Sequence, residues 1–211
     1  MRKRNYNQIF RIDARGKFFE VSDSAFGIDR VKFLFRELDQ NHKEKATIEY
    51  YVDMPDFFEL ADLINNPRLP LVVKKYVEGG KTYTPIWEVQ GGATSLRLKK
   101  RGISRPDGKA AAWKFKLLPS TRPNSVMLQV ETGVGVENEN GGVVFQGKAE
   151  KFISIPVGIR QLKAHFEYTR LYINGYYNAY TAVKYQDEAV NRVEKEKDKF
   201  WLPEEKIDEG R

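Results

Sequence analysis

The chain has 211 residues, of which 41% are hydrophobic, so it is long enough for one large domain with a packed core or for two small ones. It contains no cysteine, which excludes disulfide bonds, thiolate metal sites and cysteine nucleophiles. The formal net charge of +7 is uneven: residues 185–211 hold nine acids and six bases, so residues 1–184 carry a net charge of +10. A basic body of this kind indicates a polyanionic partner, most often nucleic acid.

The first part of the chain predicts four strands followed by a helix. Residues 1–7 are basic and are expected to form a flexible arm. Alternation of apolar and polar residues then predicts strands at Gln8–Asp13, Lys17–Ser22, Arg30–Leu38 and Ala46–Val52. Asp53 is a favourable N-cap, Pro55 suits a first helical turn, and the apolar residues of 57–64 share one helix face.

A second series of strands and a second helix follow a connector at residues 66–84. The same alternation predicts further strands, at Ile86–Gln90, Ser95–Lys100, Ala111–Leu118, Val126–Glu131, Val143–Gly147 and Phe152–Pro156. The glycine-rich segment 133–142 is interpreted as a mobile turn. A long helical pattern begins near Val157, and Gly175 is a position at which we expect it to bend or break.

The segment Thr94–Leu117 concentrates positive charge, with eight bases against a single acid, Asp107. Its two ends alternate apolar and basic residues, and the connection between them is rich in turn formers. The pattern predicts a basic β-hairpin with an apolar side on the core and a charged side towards solvent. A solvated hairpin that only maintains solubility is the alternative interpretation of the same segment.

Cations on strands beside aromatic residues are what single-stranded nucleic acid needs, since the cations follow the phosphates and the rings stack on bases. Trp113 and Phe115 are assigned to the core, while Tyr51, Tyr83 and Trp87 are candidates either for stacking or for the core. The candidate nucleic-acid-binding residues are Lys32, Arg36, Tyr51, Trp87, Arg97, Lys99, Lys100, Arg101, Arg105, Lys109, Lys114, Lys116, Lys148 and Lys151.

Catalytic and metal sites are not predicted. His42 lies in a polar loop and His165 in a helix, and neither has a metal-ligand spacing to other residues. The segment 133–142 lacks the Gly-Lys-Ser/Thr of a phosphate-binding loop. We therefore expect no enzymatic activity and no cofactor. The sequence shows neither a signal peptide nor an apolar run of transmembrane length, so a cytoplasmic protein is expected.

The two strand-to-helix series have the same order, which is interpreted as a degenerate duplication. Residues 8–65 form the first repeat and residues 85–184 the second, within a single domain at 8–184. Residues 185–211 are a charged, acidic tail that either ends as a solvated helix or contacts a partner through Phe200 and Trp201.

The order ββββα, found twice, resembles the Whirly proteins and the positive-cofactor-four type single-stranded-DNA-binding domains. The latter carry Lys-Gly-Ile-Ser-Leu before a helix with Gln-Leu-Lys; here residues 151–155 (KFISI) precede residues 161–163 (QLK). The Whirly motif Lys-Gly-Lys-Ala-Ala-Leu is similar to residues 107–112, although Asp107 and Ala112 differ from it. The resemblance implies that Lys109 is a binding lysine, that the ligand is DNA and that the protein self-associates.

We therefore expect an α+β protein of two ββββα-like repeats, with antiparallel sheets each followed by a helix, in a Whirly-like fold. It is expected to bind single-stranded nucleic acid, DNA rather than RNA by the resemblance, with little sequence preference, in replication, repair or mobile-element transfer. The alternative is a non-enzymatic interaction or structural β-protein whose basic hairpin contacts an acidic partner. An oligonucleotide-binding barrel would change the fold but not the function.

Overall fold

The computed structural model describes the backbone of residues 7–100, 102, 103 and 105–200, and the side chains as far as residue 189. Most of the predicted basic arm, Arg101 and the pair Phe200-Trp201 lie outside these described side chains. The chain divides into two compact units, Met1–Tyr172 and Ile173–Arg211. The first contains every strand described below, and the described part of the second is helical.

The first sheet is an antiparallel meander of four strands in the order β1-β2-β3-β4. Its strands are β1 (Gln8–Ala14), β2 (Lys17–Ser22), β3 (Arg30–Leu38) and β4 (Glu44–Asp53). All four were predicted at these places from the alternation of apolar and polar residues, which is clearest in β3 and β4. Helix α1 (Met54–Asn65) follows β4 directly, as predicted. Asp53 occupies the N-cap position but makes no capping bond; its carboxylate instead accepts a hydrogen bond from Arg30 Nε at 2.6 Å.

A second helix lies in the region predicted only as a connector. Helix α2 (Leu69–Glu78) buries Leu69 and Val73, which are four residues apart and therefore share one helix face. Pro70 lies in its first turn, where the missing N–H has no helical partner to lose. The short apolar run 69–73 was compatible with either element, and the helical spacing decides it.

The strand predicted at Ser95–Lys100 is wrong, because this segment is helix α3. Thr94 Oγ1 accepts a hydrogen bond from the backbone N–H of Arg97 at 3.2 Å and so caps the N-terminus. Gly102, at φ +69°, ends the helix, and its N–H donates to the carbonyl of Lys99 at 3.0 Å. Capping at both ends therefore decides for a helix, although the leucines alternate with basic residues as they would in a strand. The predicted basic β-hairpin therefore does not form.

The second sheet contains five antiparallel strands. They are β5 (Trp87–Ala93), β6 (Ala110–Pro119), β7 (Ser125–Glu137), β8 (Val143–Phe145) and β9 (Lys151–Gly158). Strand β7 is central: β6 pairs along one side of it, and β9 and β8 share the other side. The prediction of a mobile turn at 133–142 is wrong for its first half, since β7 continues to Glu137 and only 138–142 form the turn.

Helix α4 (Ile159–Phe200) begins directly after β9, so both sheets end in a strand that passes into a helix. It continues through Gly175, where the sequence predicted a bend or break. The fold is therefore mixed α+β, with two antiparallel sheets and a C-terminal helix. In the described part of the chain, every helix is too short or too polar to cross a membrane.

An aromatic cluster joins the two sheets and two helices of the first unit into one core. The rings of Phe33 (β3) and Phe115 (β6) lie with their centroids 5.2 Å apart, so the inner faces of the sheets are in contact. Phe57 of α1 and Phe166 of α4 stack at 5.4 Å beside Phe33. All four are fully buried. The opposite face of each sheet consequently points away from this core, and the candidate site lies on one of these outer faces.

Candidate nucleic-acid interface

The outer face of the second sheet carries lysines and phenylalanines in adjoining rows. Across β6, β7 and β9, Lys114 pairs with Glu131 and Glu131 with Phe152. Residues opposite each other on antiparallel strands project from the same face. We call the surface formed by Lys114, Lys116, Phe145 and Phe152 the second-sheet face. The outward direction of both lysines agrees with the alternation read from the sequence.

Two aromatic rings give the second-sheet face its apolar surface. Phe152 is 59% exposed, a large fraction for a phenylalanine. Phe145 is half-buried, and Lys114 Nζ lies 5.2 Å from the centroid of its ring, within cation–π range. The absence of a side chain at Gly133 lets the Phe145 ring approach the sheet closely, because a Cβ there would lie 2.9 Å from Phe145 Cζ. The face therefore offers ring surface and positive charge together.

The two lysines at the centre of this face are held by carboxylates. Lys116 Nζ lies 2.6 Å from Glu131 Oε1, and Lys114 Nζ lies 3.4 Å from Glu88. Gln129 also donates a hydrogen bond to Glu131, at 2.6 Å. Glu131 is buried, so Lys116 has a structural task in neutralising it. Lys114 is held less tightly than Lys116, because its partner Glu88 is a partly exposed residue on an edge strand.

Three further lysines lie at one end of the second sheet, in segments that border the face. Lys151 begins β9 next to Phe152, although the alternation of the strand directs its side chain to the other side of the sheet. Lys148 lies in the turn before β9, and Lys109 directly precedes β6. Lys151 and Lys109 are exposed, as is Lys148. Among the described residues none of the three has a carboxylate oxygen within ion-pairing distance. They are accordingly available to a phosphate.

Small residues at the end of the second sheet where β5 finishes allow β8 and α3 to pack tightly on it. Val143 of β8 lies against Gly92 and Gly135, where an added Cβ would approach it to 2.5 and 2.4 Å. On the other side Leu98 of α3 packs against Ala93 and neighbouring residues of β6. This packing explains the small residues of β5 and β6 and fixes α3 at the end of the sheet.

The predicted site residues of the first sheet lie on a separate and largely self-neutralised surface. Lys32 Nζ is 2.7 Å from Glu49, and the Tyr51 hydroxyl donates to the same carboxylate at 3.0 Å. Arg36 Nε is 3.1 Å from Glu44. Burial lowers the pKa of Lys32, but the hydrogen bond and charge of Glu49 outweigh burial and raise it above its ordinary value. Tyr51 keeps an exposed ring, while the cations beside it are already paired.

Trp87 packs at the edge of the core. Its indole Nε1 donates a hydrogen bond to Glu59 of α1 at 3.1 Å, and its ring meets Phe115 edge-on at 6.0 Å. Both the polar and the apolar parts of the side chain are therefore engaged within the fold. Of the two roles left open by the sequence, the geometry favours packing.

The cations of α3 form a third surface, away from the second-sheet face. Arg97, Lys99 and Lys100 are exposed, and in the described part of the chain none of them has an ion-pair partner. Leu96 and Ile103, beside them in sequence, are 61% and 59% exposed. Arg101 belongs to the same segment but lies outside the described residues. The structure therefore separates these bases from Lys114 and Lys116, which the hairpin prediction had placed together.

Sequence reasoning missed the two phenylalanines of the second-sheet face. A period-two signal for Phe152 was present, since it alternates with the core residues Ile153 and Ile155 and must point the other way. Phe145 had no such signal, because β8 has only three residues.

Groups of three or more residues suited to a metal ion are absent from the described residues. In the comparisons with known proteins, no family model and no curated protein matches this chain.

Proposed function

We propose that this protein binds single-stranded nucleic acid on the second-sheet face, with little sequence preference and without catalysing a reaction. One observation carries the proposal: Phe152 is 59% exposed in the same cross-strand row as Lys114. A large exposed ring on a basic sheet surface is what an unpaired base requires, because bases stack on aromatic faces while phosphates follow the cations.

The binding mode follows from the arrangement of charges and rings. Phosphates approach Lys114, whose ion-pair partner Glu88 lies on an edge strand, and the marginal lysines Lys109, Lys148 and Lys151. These three marginal lysines have no ion-pair partner among the described residues. Bases stack on Phe152 and on the uncovered part of Phe145. Each stacked base contributes about 1–3 kcal/mol to binding. Duplex DNA cannot use the rings, because its bases are already stacked on one another, so it binds through charge alone.

The chain order supports a Whirly-like, duplicated architecture for this module. Each sheet passes into a helix from its last strand, at Asp53–Met54 and at Gly158–Ile159. The residues that resemble the positive-cofactor-four motif form β9 and the first turns of α4, and Lys109 directly precedes β6. In such an architecture, helices α2 and α3 and strand β8 would be additions to the two ββββα repeats. A preference for DNA, self-association and a role in replication, repair or element transfer rest on the resemblance alone.

The experiment that tests the proposed face compares two aromatic residues on different sheets. Phe152→Ala and Tyr51→Ala each remove one exposed ring, and neither residue belongs to the shared core. We expect Phe152→Ala to weaken binding of a fluorescent oligothymidine about tenfold, since one stack is lost. Tyr51→Ala should change binding less than about twofold. A larger effect of Tyr51→Ala would place the ligand on the first sheet instead, and equal effects would contradict a site confined to the second-sheet face.

The surface of α3 favours a second candidate function, which is docking of an acidic protein segment. Leu96 and Ile103 expose apolar side chains beside three cations that lack ion pairs in the described structure. Apolar surface next to unpaired charge of one sign suits a partner of opposite charge that also buries apolar residues. Leu96→Ser with Ile103→Ser should abolish such docking and leave oligothymidine binding unchanged, as measured by fluorescence anisotropy.

A further inference from the structure

Arg105 lies at the margin of the second-sheet face, where it joins two segments that are far apart in sequence. Its Nη1 and Nη2 atoms donate to Glu150 at 2.8 and 2.6 Å, and Glu150 lies in the turn before β9. Its Nε and Nη2 atoms donate to Asp107, both at 3.0 Å, and Asp107 precedes β6. One guanidinium therefore connects the loop between α3 and β6 to the turn between β8 and β9.

The hydrogen-bonding capacity of this guanidinium is almost used up. An arginine side chain has five N–H donors, and these two carboxylates account for four contacts. The Arg105 side chain is only 16% exposed. The guanidinium keeps the pKa of both carboxyls below their ordinary values through its hydrogen bonds, so both stay ionised. Little of Arg105 is left for a phosphate.

The two carboxylates lie among the lysines that border the face. Asp107 accepts a hydrogen bond from the backbone N–H of Lys109 at 3.1 Å. Glu150 stands between Lys148 and Lys151 in sequence, and its own N–H donates to the carbonyl of Thr132 in β7. Without a neutralising partner, both carboxylates would repel an approaching phosphate at the point where the marginal lysines attract it.

We infer that Arg105 is a positioning residue of the nucleic-acid site, which masks Asp107 and Glu150 and holds the marginal lysines in place without itself contacting phosphate. The inference rests on the proposed function. It reverses the role expected from the sequence, where Arg105 was one of the phosphate-binding bases. The inference also assigns a role to Asp107, which stands where the resembled Whirly motif has a lysine. Asp107 is a partner of Arg105, and its presence is more than the loss of a binding lysine.

The test uses two variants of the full chain and a labelled oligothymidine. Arg105→Ala should weaken binding roughly fivefold at low salt, because two surface carboxylates become unmasked. The triple variant Arg105→Ala/Asp107→Asn/Glu150→Gln removes those carboxylates as well, and we expect it to recover affinity to within about twofold of the wild type. A residue needed only for folding would not be rescued in this way.

Three outcomes overturn the inference, and they are distinguishable. If the triple variant stays as weak as Arg105→Ala and both lose about 0.7 from the log–log salt slope, Arg105 contacts a phosphate directly. If both stay weak with lowered melting temperatures, Arg105 is only structural. If the wild type itself does not bind oligothymidine, the proposed function fails and this role fails with it.

Discussion

Lys114 and Phe152 flank the same carboxylate: Lys114 on β6 pairs with Glu131 on β7, and Phe152 on β9 pairs with Glu131 from the other side. Two strand spacings, about 10 Å, therefore separate the backbone positions of Lys114 and Phe152. Because Glu131 is buried and engaged by Lys116, the charge that Lys114 presents in this row is not cancelled by its direct neighbour. Lys114 and Phe152 together therefore combine attraction for a phosphate with a ring on which a base can stack.

The first prediction concerns Lys114 itself. Lys114→Met keeps most of the apolar stem and removes the charge, so we expect the log–log salt slope of single-strand binding to fall by about 0.7. Lys43→Met is the matched control, since Lys43 is exposed in the loop between β3 and β4 and loses the same charge. Anisotropy titrations at several salt concentrations give both slopes. An unchanged slope for Lys114→Met would remove this lysine from the site.

A second prediction separates the stability role of Lys116 from binding. The Glu131 side chain is only 12% exposed, and Lys116 is its ion-pair partner at 2.6 Å. Lys116→Met leaves this carboxylate without a cation, and we expect a loss of about 1–3 kcal/mol in the free energy of unfolding, measured in urea. Adding Glu131→Gln should restore most of it. If Lys116→Met is as stable as the wild type, the pair is not structural.

The third prediction tests the tight packing of β8 on the sheet. A Cβ at Gly135 would lie 2.4 Å from Val143 Cγ1 and 3.2 Å from the backbone of Ala111. Gly135→Ala should therefore displace β8 and cost about 1–3 kcal/mol of unfolding free energy. Gly158→Ala is the control, because a Cβ there meets nothing within 4 Å. Equal stability of the two variants would show that β8 does not pack as described.

A pH dependence of stability is predicted from His165. Its ring stacks on Phe10 at 4.5 Å, and burial lowers the pKa of this imidazole below its usual value. The unfolded chain therefore binds the proton more readily, so stability contributed by the neutral ring is complete above about pH 6.5 and declines as the pH falls below it. His165→Phe should flatten the decline in urea unfolding between pH 7 and 5, whereas His42→Gln should not. A decline that persists unchanged in His165→Phe would contradict the assignment.

The strands of the first sheet were predictable because burial of one face of the sheet explains their alternation of apolar and polar residues. Residues 30–36 of β3 alternate between buried and partly exposed positions, and a period of two over seven residues is typical of a strand with one face on the core. Segment 95–100 failed for the opposite reason. Its alternation covers only four residues, and the deciding signals were the capping Thr94 before it and Gly102 after it.

The candidate site was predictable only in part, because ion pairing depends on neighbours that are distant in sequence. The outward direction of Lys114 followed from alternation in β6. The engagement of Lys116 with Glu131, and of Arg105 with Glu150, depends on strand register and loop contacts that no local pattern contains. Counting bases therefore overstated the free charge near β6, while the exposed ring of Phe152 was overlooked.

The most direct measurement is the affinity of the purified protein for labelled single-stranded DNA, single-stranded RNA and duplex DNA across a salt series, by fluorescence anisotropy. We predict sub-micromolar binding of single strands that weakens linearly on a log–log plot, by about 0.7 for each phosphate neutralised. Duplex DNA should bind much more weakly, because its bases cannot reach Phe152. Equal and weak binding of all three nucleic acids at low salt would contradict the account and leave only a basic surface.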